Sequence, residues 1–328
     1  MDCSLAYLTS GTAYAVGNNG IVPNKESLIR QKYILSSYLD ENCKFLLFYS
    51  DYKRCEFLNF IRDEKLIDTC FIEKLESKSH IFRPTLPYLN ITKNYKEYTH
   101  ILFMGRTLNG KGSHVAAQVF RFLDKKYGFK VKLSWVGPIH DNESLPKHVN
   151  IYPLMKREEY LKFLLDVDIF FSPTETESYG MALIEAARSG LALVTSEGKG
   201  MEHIKEIFTN RRNAFFCSSQ GNIYVRSKNF IKVLCQLIDT PGLIKEICIN
   251  NLKLFNGGIL DIQYRNSFLQ KKYEIMFRNK IHMNNKQLNY LYNDPNKMYK
   301  KYTISADKFL RYKIKFARKV HKSIIIKN

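Results

Sequence analysis

Glu177 and Glu185 stand with seven residues between them in the segment DIFFSPTETESYGMALIEAARSGLALVTSEGKGME, residues 168–202. An apolar run at 169–171 leads into a polar loop, and the loop opens a short amphipathic stretch that carries Glu185. A strand–loop–helix unit of this kind aims backbone N–H groups and the positive end of a helix at one point, which suits a phosphate. Ionised carboxylates only accept hydrogen bonds, and sugar hydroxyls need acceptors. One turn thus unites phosphate chemistry with sugar chemistry, the combination a nucleotide-linked sugar demands. Taken alone the pair has a plainer reading, with Glu177 favouring a helix N-terminus and Glu185 solvated on a helix face.

A second loop, GRTLNGKG at 105–112, follows the apolar run ILFM and precedes another helical pattern. A departing diphosphate carries negative charge that fixed cations and helix N–H groups stabilise. Arg106 would grip that charge bidentately, and Lys111 would add a mobile point charge. The loop is not a Walker sequence, since it lacks the Gly-Lys-Ser/Thr ending. By itself it reads equally as a surface turn with two ordinary cations. A third turn, SEGKGME at 196–202, sets Glu202 beside two glycines with Lys199 between them.

Pro173-Thr174-Glu175-Thr176-Glu177-Ser178-Tyr179-Gly180, followed by Leu183-Ile184-Glu185-Ala186, resembles the signature of family 4 glycosyltransferases. That signature reads Pro-Ser/Thr-x-x-Glu-x-aromatic-Gly, then Glu-Ala, and its register selects Glu177 and Glu185 while passing over Glu175. The resemblance covers roughly 95–260 and extends to Arg106 and the Lys111-Gly112 pair. It implies a GT-B fold, two Rossmann-like domains facing across a cleft, and transfer from a nucleoside-diphosphate sugar with retention of configuration. It assigns catalysis to Glu177, Arg106 and Lys111, with Glu177 on the donor-sugar hydroxyls. Substrate binding falls to Glu185 on the ribose, with Ser178, Tyr179, Gly180, Gly105 and Glu202. Gly180 would let backbone approach the donor, as only a residue without Cβ can. The resemblance implies no metal and no cofactor, the donor being a substrate. Asp166 and Asp168 form an Asp-x-Asp pair of the kind that holds a divalent ion in some sugar transferases, but they fall at a helix end and a strand start. His80 lies too late in the chain for the donor-side histidine of that family and reads as a surface residue.

These residues need a frame, and the pattern supplies one. From residue 100 the chain alternates strand (100–104), helix (113–127), strand (131–136), a Gly137-Pro138 turn and a short strand (149–152). Helix 157–165, strand 169–171, helix 181–189 and strand 191–195 follow. Such alternation means a doubly wound parallel sheet, an α/β fold, with ligands at the carboxyl ends of the strands. Ahead of it, 5–9 and 44–49 read as strands, 25–39 and 52–66 as helices, and 69–72 as a short strand. Residues 82–94, with two prolines and no period, read as a connection. An amphipathic helical pattern occupies 261–279. Three parts result: a reduced N-terminal α/β domain (1–92), a nucleotide-sugar donor domain (93–260) and a helical, basic C-terminal extension (261–328).

Composition bounds the rest. Of 328 residues 45 % are hydrophobic, which excludes a wholly disordered chain. No apolar stretch approaches ~18 residues, so no membrane span is expected, and the first residues lack the pattern of a signal peptide. Seven cysteines without a C-x-x-C pair point to reduced thiols in the cytoplasm. Net charge is +20, of which residues 271–328 carry +13, from 16 Lys/Arg against three acids. On a helix Lys308, Arg311, Lys315, Arg318 and Lys322 form a basic stripe beside Phe309, Tyr312, Phe316 and Val320. An anionic membrane surface is the expected partner, giving a cytoplasmic protein peripheral to the inner face of the cell membrane; nucleic acid is the rival, with no specific nucleic-acid module beside it. The expected acceptor is a glycolipid or glycan, such as lipopolysaccharide or another surface glycan. The short N-terminal part keeps an alternative open: a catalytically weak donor-binding protein, or a membrane- or RNA-associated one, that retains the donor domain.

Overall fold

The computed structural model describes residues 35, 38–40, 43–63, 65, 67–91, 93, 96–105, 110–139, 144–198 and 200–278. The strand expected at 5–9, most of the helix at 25–39, Arg106, Lys199 and the basic stripe lie outside the described residues. By compactness the chain divides into Met1–Leu269 and Gln270–Asn328, and the architecture below is that of the first unit.

Its leading part holds β1 (Leu46–Phe48), α1 (Asp51–Asp63), α2 (Thr69–Lys78) and β2 (Ser79–Ile81). The two strands pair in parallel, Leu46 opposite Ser79. They close a small core with Phe57, Leu58 and Ile61 of α1 and Ile72 and Leu75 of α2. The short strand expected at 69–72 is instead the first turn of α2. The Thr-Cys-Phe-Ile run looks strand-like, but burying Ile72 and Leu75, three apart, requires helical spacing.

The larger part follows as β3 (Thr99–Met104), α3 (Ser113–Tyr127), β4 (Val131–Val136), β5 (Asn150–Tyr152), α4 (Arg157–Leu164), β6 (Ile169–Ser172), α5 (Met181–Arg188) and β7 (Ala192–Glu197). Then come β8 (Ala214–Ser218), α6 (Ile223–Asp239) and α7 (Pro241–Lys253), an extra strand and two helices beyond the alternation read from sequence. Helix α8 (Ile262–Arg278) matches the amphipathic pattern at 261–279. The six strands form one all-parallel sheet in the order β5-β4-β3-β6-β7-β8. Counted within this sheet alone that order is 3-2-1-4-5-6, the doubly wound arrangement.

A parallel sheet is covered on both faces, and its strands are apolar on both. Ile101 and Phe103 of β3, Ile169 and Phe171 of β6 and Ala192 and Val194 of β7 pack with α3, α6 and α7. The intervening Leu102, Phe170 and Leu193 pack with α4 and α5. Each fully buried large apolar side chain adds about 1.5–3 kcal/mol, and this two-sided burial holds the strand ends rigidly. The site is built on those ends.

Candidate functional site

β3 and β6 are neighbours in the sheet although two strands separate them in sequence. The helices that follow them leave on opposite faces, α3 into one core layer and α5 into the other. Divergence of that kind opens a crevice at the carboxyl ends of the strands, where open α/β sheets bind ligands. The loops after β3 and β6, which carry both motifs, meet there.

They are bonded to each other. Glu175 donates its N–H to the Gly110 carbonyl at 3.0 Å. Thr174 Oγ1 shares its proton between the Gly110 and Thr176 carbonyl oxygens, at 3.1 and 2.9 Å. Gly112 opens α3 with φ 71°, and a Cβ there would lie 2.1 Å from the Pro173 carbonyl oxygen. Only glycine permits that backbone and that approach together. On the other side Gly105 donates to the Val136 carbonyl at 3.0 Å, so the ends of β3, β4 and β6 form one ledge.

Lys111 Nζ lies 2.5 Å from Glu177 Oε1, a pair made between the two loops. Glu177 keeps 14 % of its side chain accessible and Lys111 31 %, so both reach the crevice. Glu185, on α5, is buried, and its carboxylate meets the Arg157 guanidinium at 2.7 Å from the first turn of α4. Ser178 is exposed at the loop apex. Tyr179 is buried, donates its hydroxyl to the Pro84 carbonyl at 3.0 Å and packs on the Tyr49 ring. Burial pushes its phenol pKa up. Tyr179 therefore ties the motif to the connecting segment. Gly180 opens α5 at φ 85°, and a Cβ would lie 2.7 Å from Ile204 Cδ1. Its smallness thus serves a left-handed turn and packing beneath the helix start. Glu202 is half-buried and accepts from the Gly200 N–H at 2.7 Å, closing the third turn.

The aspartate pair sits at the opposite, amino-terminal edge of the sheet. Asp166 pairs with Lys96 and Lys132, and Asp168 accepts the His100 N–H at 2.8 Å. His100 is buried with Nδ1 2.8 Å from the Asp166 carbonyl and Nε2 2.8 Å from Ser134 Oγ, and burial pushes its pKa down to about 4. A cavity of about 380 Å³ lined by Lys96, Thr99, Asp168 and Pro241 opens at this same edge. Volume and chemistry disagree here, and the switch-point crevice is the better candidate because fixed backbone donors and paired ions converge on it. His80, expected at the surface, is half-buried between the Phe45 and Phe268 rings.

Three contributors escape a linear reading. Arg157 begins α4 in a run, Lys-Arg-Glu-Glu, that looks like any helix start. Glu206 accepts the Asp51 and Tyr52 N–H groups at 2.9 and 2.6 Å and meets Arg83 at 3.2 Å, fastening α1 to the larger sheet. Arg226, on α6, is buried against the motif loop itself. Nothing local in the sequence marks these three, because each partner lies far along the chain.

The geometry is that of a doubly wound α/β protein with two loops joined at its switch point. Residues 88–235 match the family model for glycosyl transferases group 1. CapH of Staphylococcus aureus, a capsular polysaccharide biosynthesis glycosyltransferase, is 22 % identical over 194 residues, 56 % of this chain and 51 % of CapH. The chain thus spans about half the length of that curated relative. Among solved structures, S. aureus TarM, in a complex that includes UDP, superposes with a TM-score of 0.55 at 17 % identity, over 76 % of this chain and 46 % of TarM. Anabaena HepE with UDP-glucose gives 0.56 at 11 % identity, over 82 % of this chain and 76 % of HepE. The α/β fold is that of GT-B glycosyltransferases.

Proposed function

We propose that the chain transfers a sugar, with retention, from a nucleoside-diphosphate donor to a lipid-linked or surface-glycan acceptor. The observation that carries this reading is the bonded pair of loops at the switch point, with Lys111 facing Glu177 and Glu185 on the helix that follows. In this account Glu185 accepts the ribose hydroxyls and Glu177 those of the donor sugar. Lys111, Arg106 and the N–H groups at the start of α5 bear the charge of the departing diphosphate. As the bond to the diphosphate breaks, the sugar takes oxocarbenium character, and fixed charge on the leaving group lowers that barrier. The UDP complexes of TarM and HepE support a uridine donor, and CapH's role in capsular polysaccharide supports a surface glycan as acceptor. Division into a small acceptor-side part, a donor domain and a basic extension that docks on an anionic membrane completes the proposal; among the described residues no helix is long and apolar enough to cross one.

Thermal-shift screening of nucleotide sugars tests it, since a ligand at 100 times its Kd stabilises by about 2.7 kcal/mol. The donor that shifts the transition is then supplied radiolabelled, and label should move to a glycolipid acceptor. Absence of both binding and donor cleavage across UDP-, GDP- and dTDP-sugars would sink the proposal.

A further inference from the structure

The motif loop carries two glutamates two residues apart, Glu175 and Glu177, and the chain has to present one of them to the donor. We infer that Arg226 makes that selection: it is a positioning residue that holds Glu175 and the Pro173 carbonyl, leaving Glu177 as the carboxylate that faces Lys111 and the sugar. The inference rests on the glycosyltransferase reading above and deepens it.

Arg226 lies in the first turn of α6, and its side chain is only 8 % exposed. Its Nη1 meets Glu175 Oε1 at 2.5 Å, and its Nη2 donates to the Pro173 carbonyl at 3.2 Å. A guanidinium is a rigid fork, so two bonds from one side chain fix both position and orientation of what they hold. The loop is thereby gripped at Pro173 and Glu175, while the Thr174 hydroxyl and the Glu175 N–H both donate to the Gly110 carbonyl. In an extended stretch residues two apart share a side, but the loop bends at Glu175. The two carboxylates meet different partners, Glu175 the Arg226 guanidinium on α6 and Glu177 the Lys111 ammonium. The charge is also placed by this arrangement. Arg226 neutralises Glu175, whose side chain is 53 % exposed, so one loop carboxylate is balanced by α6 and the other by Lys111. Asn222 caps α6 by accepting the Val225 N–H at 3.0 Å, and Ser227 Oγ lies 2.8 Å from Gln118 Oε1 on α3, so the helix turn that carries the fork is itself held.

The test uses the full chain as wild type, R226A, R226K and E175Q. Amide hydrogen exchange of 174–177 is measured by NMR, and kcat and donor KM are measured with the nucleotide sugar found by thermal screening. R226A should speed exchange of the Glu175 amide by about 10-fold or more, as local opening dictates. It should lower kcat roughly 10–100-fold, the usual consequence of a small misplacement of a reacting group, while donor KM stays within about threefold because the ribose contacts remain. R226K keeps the charge without the fork and should recover part of kcat; E175Q should move both readouts in the same direction by less. Exchange at the wild-type rate in both R226A and E175Q overturns the inference. So does an equal proportional loss in kcat and rise in KM, the mark of general loosening. If R226A does not fold, E175Q at its exposed position decides. A wild type that cleaves no donor defeats the functional reading, and the exchange measurement still decides the clamp.

Discussion

Glu177 and Glu185 belong to one motif, yet the fold gives them different partners. Glu177 faces Lys111 from the neighbouring loop, whereas Glu185 is buried against Arg157. Charged hydrogen bonds are worth about 1.5–3 kcal/mol. Glu185→Ala should therefore weaken nucleotide affinity by roughly 10–100-fold with a smaller change in kcat. Glu177→Ala should reduce turnover and leave nucleotide Kd nearly unchanged. Calorimetry with the free nucleotide and steady-state kinetics separate the two, and equal, negligible effects would make the motif a remnant. The buried histidines set the response to acid. His100 and His203 are both pushed by burial from 6.5 to about 4, and neither ring nitrogen of His203 has a hydrogen-bond partner. The unfolded chain binds more protons than the folded one between those values, so stability is full above about pH 6.5 and is lost as pH falls toward 4, by up to roughly 3 kcal/mol for each group. Urea midpoints measured from pH 7.5 to 4.5 should fall, and His203→Leu should flatten the curve. An unchanged slope in that variant would contradict the assignment.

Helix starts and loop ends decide the site at the scale of elements. α3 and α5 both begin at a left-handed glycine, Gly112 and Gly180, and this brings two helix N-termini to one crevice. Gly112→Ala combines a strained φ, costing roughly 1–3 kcal/mol, with a Cβ that would meet the Pro173 oxygen at 2.1 Å. It should lower Tm by several degrees and abolish donor cleavage by parting the loops; a wild-type Tm would refute the packing. Glu206→Ala removes the acceptor for the first N–H groups of α1 and should raise proteolysis of the leading part before the sheet unfolds. Local pattern carried much of this frame. Helix Ser113–Tyr127 and strand Val131–Val136 are legible to the residue, because glycines and a short basic turn punctuate them. The same holds nearly as well for the strand and helix around the motif, where apolar periods of two kinds meet at Gly180. What the sequence hides is pairing at a distance. Arg226 lies 51 residues from Glu175 and Glu206 lies 155 from Asp51, so no local spacing announces either. The run at 69–72 misleads for the converse reason: its residue types favour a strand, and the need to bury Leu75 overrides them.

For the molecule as a whole, charge and the switch point set the expectations. More than half of the +20 net charge lies beyond residue 270, an uneven distribution that suits an anionic surface. Deleting residues 302–328 should move the protein from membrane to soluble fractions at low salt, and unchanged partitioning would remove the membrane from the account. The sheet order 3-2-1-4-5-6 places the first and fourth strands side by side, and this alone brings the cationic loop to the acidic one. A crystal structure with a bound nucleoside-diphosphate sugar tests that convergence most directly. The diphosphate should lie between Lys111 and the N-terminus of α5, with the ribose on Glu185 and the sugar on Glu177. Nucleotide bound instead at the amino-terminal edge, in the cavity beside Lys96 and Asp168, would contradict it.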